Sequence, residues 1–405
     1  MSCQDRSHDA RAFLFIIALH TKMHRMQPPT RSLHARRGGS ANGSTVTFFY
    51  ACIAAVPRLA VLVGLILAWA SYSTIYVANF QQEVPIIAIR TELSKVGPLS
   101  VWASILKSTS PLEVEGGADE QRKVAIEVGV HTPTQCISAA ELGYVLHCFE
   151  PSPVSYKRLE DGVANAPPGT KKRIHPHQEA AGPASGMTVP FHSTGGTGDH
   201  IGEYDMWKME GRGPDPPEGS QSAVDRQKRG TIINVPTVRL DDFINEKIIP
   251  AADRGGHRGN AAAVHLLKVD TQGFEPSIFS GLARSIHDGA IDYIIFEFWP
   301  RGMDLLAGAV DQCSGRTVLE DLSAAGYTLY ALGVESHPKA PLTGRALEEE
   351  SKLRPFIGGT EAYCRWFFEL EGKYPSPKGQ EEYKFGYWSD FLAVAPGKSL
   401  PEMSI

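Results

Sequence analysis

The stretch HLLKVDTQGFEPSIFSGL, His265–Leu282, places Lys268, Asp270, Gln272 and Glu275 close together. It opens as an apolar run of strand type and closes with helical periodicity, so the charged residues fall at the turn. A carboxylate at a strand exit can take a proton from a substrate hydroxyl, and a neighbouring lysine can hold it in place or steady developing negative charge. Asp270 is therefore the first candidate base or substrate-hydroxyl ligand, with Lys268 and Glu275 as its helpers. Three further apolar runs also end in an acid: KVAIEVGV in Glu127, YVLHCFEPSP in Glu150 and AIDYIIFEFWP in Glu297. One acid at a strand end commonly caps the next helix. Four at one rim would make a polar crevice suited to a ligand with ribose hydroxyls and a positive centre.

The elements around these acids alternate. After KVAIEVGV comes the helical TQCISAAELG, then YVLHCFEPSP and the helical VSYKRLEDGVANA. KKRIHPHQEAAG follows as a third strand with its following turn, His265 onward supplies a fourth strand, and AIDYIIFEFWP a fifth. TVLEDLSAAG, YTLYALG and WSDFLAVAP supply a helix and two last strands. The alternation predicts βαβ units and a mostly parallel sheet, whose ligands bind outside the carboxyl ends of the strands. Glu150 lies about 20 residues beyond Glu127 and Gly129, the place from which an acid binds ribose hydroxyls of a nucleoside cofactor. Spacing alone leaves NAD and S-adenosylmethionine open; a dinucleotide site would want G-x-G-x-x-G, which is missing.

At this point the chain resembles FkbM-type methyltransferases. IEVGVHTPTQ, CFEPSPVSYKRL, VPTVRLDDF, LLKVDTQGFEPSIFSGL and IIFEF occur in that family's order, across about residues 123–333. The resemblance implies a Rossmann-like, seven-stranded class I fold and S-adenosylmethionine as cofactor. It implies that Glu127 and Gly129, with His131 in the same loop, lie beside the methionine part of the cofactor. Glu150 would take the ribose hydroxyls, and Glu179 and Ala180 would lie near the adenine. Departures from the family pattern are His131 for Asn, Pro133 for a second Gly and Gln272 for Glu. Pro133 fixes φ and removes an N–H in the cofactor loop. It motivates the alternative of a catalytically impaired binding or scaffold protein on the same fold. A type II glycosyltransferase, the third reading, would want a D-x-D metal site, and only Asp241-Asp242 is present.

Composition bounds the rest. The chain has 405 residues, 42% hydrophobic and 21% charged, with room for one large domain or two ordinary ones. Residues 1–58 hold 8 Lys and Arg against 2 acids, net +6; the remainder holds 32 against 43, net −11. A negative body argues against a nucleic-acid partner. Residues 59–78, LAVLVGLILAWASYSTIYVA, carry no charge and would span about 30 Å as a helix, the hydrocarbon thickness of a bilayer. With Arg58 before the run and Arg90 the next basic residue, the N-terminus is expected in the cytosol and the domain in a lumen, endoplasmic reticulum or Golgi. An organelle membrane is the alternative, because the leading segment is basic and poor in acids.

The expected organisation is a disordered segment 1–58, an anchor 59–78, a stem 79–120 that carries a leading helical segment, and a methyltransferase domain 121–398. Irregular insertions are expected near 193–230 and 334–385. Cys3, Cys52, Cys136, Cys148, Cys313 and Cys364 show no metal-ligand spacing and read as ordinary thiols. His175-Pro176-His177 reads as surface loop, and no metal is expected. The function expected is a membrane-anchored methyltransferase that O-methylates a hydroxyl of a glycan, glycolipid or small metabolite.

Overall fold

The computed structural model describes residues 97–111, 123–194, 196, 198–202, 231–249, 262–337, 340–352, 359–375 and 385–400. All of these lie in one compact unit, Gln82–Ile405. The leading segment 1–58 and the expected anchor 59–78 lie outside the described residues, and no described helix is long and apolar enough to cross a membrane.

Seven strands form the main sheet: β1 (Val124–Val128), β2 (Val145–Phe149), β3 (Ile174–His177), β8 (Val264–Val269), β9 (Ile291–Phe298), β10 (Thr328–Ser336) and β11 (Tyr387–Val394). Their order is β10-β11-β9-β8-β1-β2-β3. Pairing is parallel from β9 through β3, while β11 runs antiparallel to both β9 and β10. The order reverses at β1, which pairs with β2 on one side and β8 on the other. Beyond the carboxyl ends of β1 and β8 lies the crevice in which ligands bind in such sheets.

Parallel strands are covered on both faces, so they read as unbroken apolar runs. All six residues of β8, VHLLKV, are buried. Ile126, Leu267, Ile294 and Phe391 pack into one layer, and Ala125, Leu266, Ile295 and Leu392 into the opposite one.

Three expectations need correction. The segment 79–120 is not only a stem: Val101, Trp102, Ile105 and Leu106 of helix Pro98–Ser108 are buried in the second layer. Positions i, i+1, i+4 and i+5 share one helical face, and that face is as apolar as a core helix requires. Residues 334–385 contain helices Gly344–Lys352 and Gly359–Lys373, whose Leu347, Tyr363, Cys364, Phe367 and Leu370 belong to the first layer. Four cysteines are paired rather than free, Cys136 with Cys148 and Cys313 with Cys364. Helix Thr134–Glu141 brings Cys136 over β2, a closeness that the separation of 12 residues does not reveal.

A second sheet, ordered β4-β7-β5-β6, joins β4 (Ala180–Gly182), β5 (Thr188–Ser193), β6 (His200–Ile201) and β7 (Thr231–Arg239). The expected insertion near 193–230 therefore begins inside a sheet: β5 and β6 pair antiparallel through Phe191↔Ile201.

Candidate active site

β1 and β8 stay paired to their last residues, where the Asp270 N–H donates to the Val128 carbonyl at 3.0 Å. The chain turns sharply at Gly129, φ +86°, and a Cβ there would overlap the Asp270 carbonyl oxygen. Glycine is required at this close approach. The two strands then part around a cavity of about 270 Å³.

Gly129, His131, Glu150, Ala180, Ala181 and Phe191 line its β1–β2 side, and Asp270, Gln272, Glu297, Glu335 and Trp388 its β8–β11 side. Segments from Val128 to Trp388 thus converge on one crevice. Glu179, the neighbour of Ala180, is not among the lining residues. Side chains that sequence reasoning missed come from the second sheet and its hairpin, namely Phe191, Asp199 and Ile201, and from the last strands, Glu335 and Trp388. The apolar Phe191↔Ile201 pair was hidden in a stretch of Gly, Ser, Thr and His, FHSTGGTGDHI.

Glu150 is buried and lines the cavity. One carboxylate oxygen accepts the Ser152 N–H at 2.7 Å. Burial pushes its carboxyl up to about 8, against that hydrogen bond. His131 is fixed from behind: the Arg158 guanidinium donates to its carbonyl at 3.0 Å. Partial burial and that same arginine hold its imidazole below the usual histidine range.

Glu127 is only 1% exposed and lies beneath the cavity rather than in its wall. It stands level with Lys268 on the adjoining strand, and the Lys268 ammonium is 4.0 Å from it and 3.0 Å from Asp270. Burial pushes Glu127 up to about 7, opposed by Lys268. Burial also disfavours the Lys268 charge, but Asp270 and Glu127 outweigh it and hold the ammonium above its ordinary range. Cys136 Sγ lies 3.1 Å from Glu127, within the disulfide to Cys148.

Glu275 is fully buried and spends its carboxylate on the turn before it. It accepts the Thr271 N–H at 2.8 Å, the Thr271 hydroxyl at 2.9 Å and the Gly273 N–H at 2.9 Å. This clamp holds Gln272 at φ 56° and Gly273 at φ 99°. Gln272 donates its amide to Glu297 at 3.2 Å and faces Asp270 at 3.4 Å. An amide here joins two carboxylates that a glutamate would repel. Asp241 lies elsewhere and accepts the N–H groups of Arg284 and Ser285 at the start of helix Ala283–His287.

Pro133 stands just before helix Thr134–Glu141 at φ −73°, a position where a missing N–H costs nothing. Its ring packs against Gly162 of helix Pro153–Asn165, where an added Cβ would come within 2.5 Å of it. It does not line the cavity.

Residues 127–304 match the family model described as Methyltransferase FkbM domain. No curated protein matches the chain. Among solved structures, a StiE O-MT is 10% identical over 75% of this chain and 76% of its own, with a TM-score of 0.29. A geranyl diphosphate methyltransferase in complex with SAM is 8% identical over 78% and 98%, with a TM-score of 0.30. The [4+2]-cyclase SpnF is 13% identical over 78% and 100%, with a TM-score of 0.25. Strand order and register, rather than these distant likenesses, define the fold.

Proposed function

From a methyltransferase domain of FkbM type at residues 127–304, we propose that the chain uses S-adenosylmethionine to O-methylate a hydroxyl of a small or carbohydrate acceptor. One observation carries this reading: Gly129, Glu150 and Asp270 converge on a single cavity at the strand-order reversal. When bound, S-adenosylmethionine supplies an electrophilic methyl group whose bond to sulfur breaks with the electron pair left on sulfur.

The residues present fit that cofactor. Gly129 lets the backbone approach it closely. Glu150 has one oxygen on Ser152 and the other to offer to ribose hydroxyls. Ala180, Ala181 and Phe191 supply small and apolar wall for a purine. Asp270, whose carboxylate is held by Lys268 and faces the cavity, takes the proton that the acceptor hydroxyl loses. Glu275 fixes the turn that presents Asp270 and Gln272. Glu127 keeps Lys268 charged and in place.

The anchor at 59–78 is part of the proposal, with the N-terminus cytosolic and the domain lumenal. Two internal disulfides support it, because such bonds persist in oxidising compartments.

Calorimetric titration of S-adenosylmethionine into the detergent-solubilised full chain tests the reading, with NADH and a sugar nucleotide as controls. Micromolar binding that is lost on Glu150→Ala is expected. A well-folded sample that binds none of the three would overturn it.

A further inference from the structure

The β8–β11 side of the cavity is acidic. Asp270, Glu297 and Glu335 line it beside Trp388, and among the described residues neither lysine nor arginine lines the cavity. The Lys268 ammonium is already engaged by Asp270 and Glu127. A further carboxylate stands behind this wall. Asp390 is 9% exposed, is the register partner of Glu297, and lies two residues from Trp388 along β11, on the same face. Asp270, Glu335 and Glu275 act on it as like charges, opposed by Lys268. Burial and the surrounding acids push Glu297 and Asp390 well above the ordinary carboxylate range.

Something positive would relieve this repulsion. A metal ion does not suit the arrangement. Among the described residues no three of these carboxylates bring oxygens within 4.8 Å of one another, a closeness found only for Glu127 with the disulfide-bonded Cys136 and Cys148. A spread of acids around an indole suits a larger organic cation, which gains from carboxylates and from the face of a tryptophan together.

We propose that the acceptor is a hydroxylated amine, an amino sugar or amino alcohol in class, whose ammonium sits between Glu297 and Glu335 against Trp388, with Asp390 behind them. Its hydroxyl then faces Asp270. Gln272 links the two halves of the arrangement, donating to Glu297 beside Asp270. An anionic acceptor, such as a sugar phosphate or a uronate, is repelled from the same wall. This assignment rests on the methyltransferase reading and names the acceptor for that same cavity.

The test uses the full chain and two readouts: binding of S-adenosylmethionine, and release of S-adenosylhomocysteine with three acceptor sets. The sets are glucosamine, galactosamine and ethanolamine; glucose, galactose and glycerol; and glucose 6-phosphate with glucuronate. Turnover about tenfold faster with the amines than with the neutral polyols, and none with the anions, is expected. Glu335→Gln, at the exposed mouth of the cavity, and Asp390→Asn should each raise KM for the amine about tenfold while cofactor affinity stays unchanged. Glu335→Gln leaves the core untouched, so it decides the matter if Asp390→Asn fails to fold. Equal or faster turnover of neutral or anionic acceptors overturns the proposal. So does cofactor binding without amine turnover, or amine turnover indifferent to both substitutions. Absence of cofactor binding is a different result and overturns the methyltransferase reading itself.

Discussion

Gly129 and Asp270 meet where the first and fourth strands of the main sheet end, so close that glycine alone fits between the turn and the Asp270 carbonyl. Gly129 also holds φ +86°, which side chains other than glycine rarely adopt. Gly129→Ala should destabilise the chain by about 2–4 kcal/mol and abolish cofactor binding. Urea melts and calorimetry on one preparation check both halves. Wild-type stability in the variant would mean that the two loops are not in contact.

Pro133 is expected to be a fitting part of the helix start rather than a defect. Pro133→Gly should lower stability by about 1 kcal/mol, through added freedom of the unfolded chain and lost packing on Gly162. Cofactor affinity should not improve. A gain of tenfold or more in affinity, which is about 1.4 kcal/mol, would revive the impaired-scaffold alternative.

The buried carboxylates predict a pH dependence of stability in the cofactor-free chain. Glu127 and Glu150 are raised from 4.5 to about 7 and about 8. The folded state therefore binds protons more tightly than the unfolded one. The resulting stability is fully present below the unfolded value and is lost as pH rises through the folded values. Glu150→Gln should reduce the fall by about 1.4 kcal/mol per pH unit across that window. Denaturant midpoints measured every half unit from about pH 5 to about pH 9 decide it; parallel curves for variant and wild type refute it.

The histidines at the far edge of the sheet act in the opposite sense. His147 on β2 stacks on its register partner His175 and lies 3.1 Å from His177. Burial and these neighbours lower His147 to about 3 and His177 to about 4. The unfolded chain takes up protons first, so stability should fall as pH drops below the unfolded value near 6.5 towards these folded values. His147→Phe keeps a ring against Phe243 and removes the titrating group, so its acid midpoint should shift downward. An unchanged acid limb in circular dichroism would count against the assignment.

The Cys136–Cys148 bond closes a loop across a separation of 12 residues and joins helix Thr134–Glu141 to β2. Its loss in the Cys136→Ala, Cys148→Ala double variant should cost about 3 kcal/mol of unfolding free energy. Thermal melts with and without reductant test this; a wild-type chain indifferent to reductant would show that the bond does not form.

The site was legible in part because acids stand out in apolar strands. Glu127, Glu150, Asp270 and Glu297 could be placed at strand ends from the alternation of elements alone. Their roles could not be placed. Glu127 and Glu275 carry the same charge as Asp270, yet one lies beneath the cavity and the other clamps a turn, and only the packing of β1, β8 and the Thr271–Gly273 turn separates them. Trp388 and Asp390 carried a signal that could have been read, an aspartate inside the apolar strand WSDFLAV at the alternation that puts both on one face.

The sequence by itself determined the periodicity of the strands, the glycine at the first turn and the acids of the rim, because each is set by local covalent geometry and residue type. The tertiary structure decided what depends on distance through space. It paired cysteines 12 and 51 residues apart, folded the segments around 98–108 and 344–373 into the core, and aimed Pro133 away from the cavity. It also set the last antiparallel strand beside β9, so that Asp390 faces Glu297 from nearly a hundred residues further along the chain.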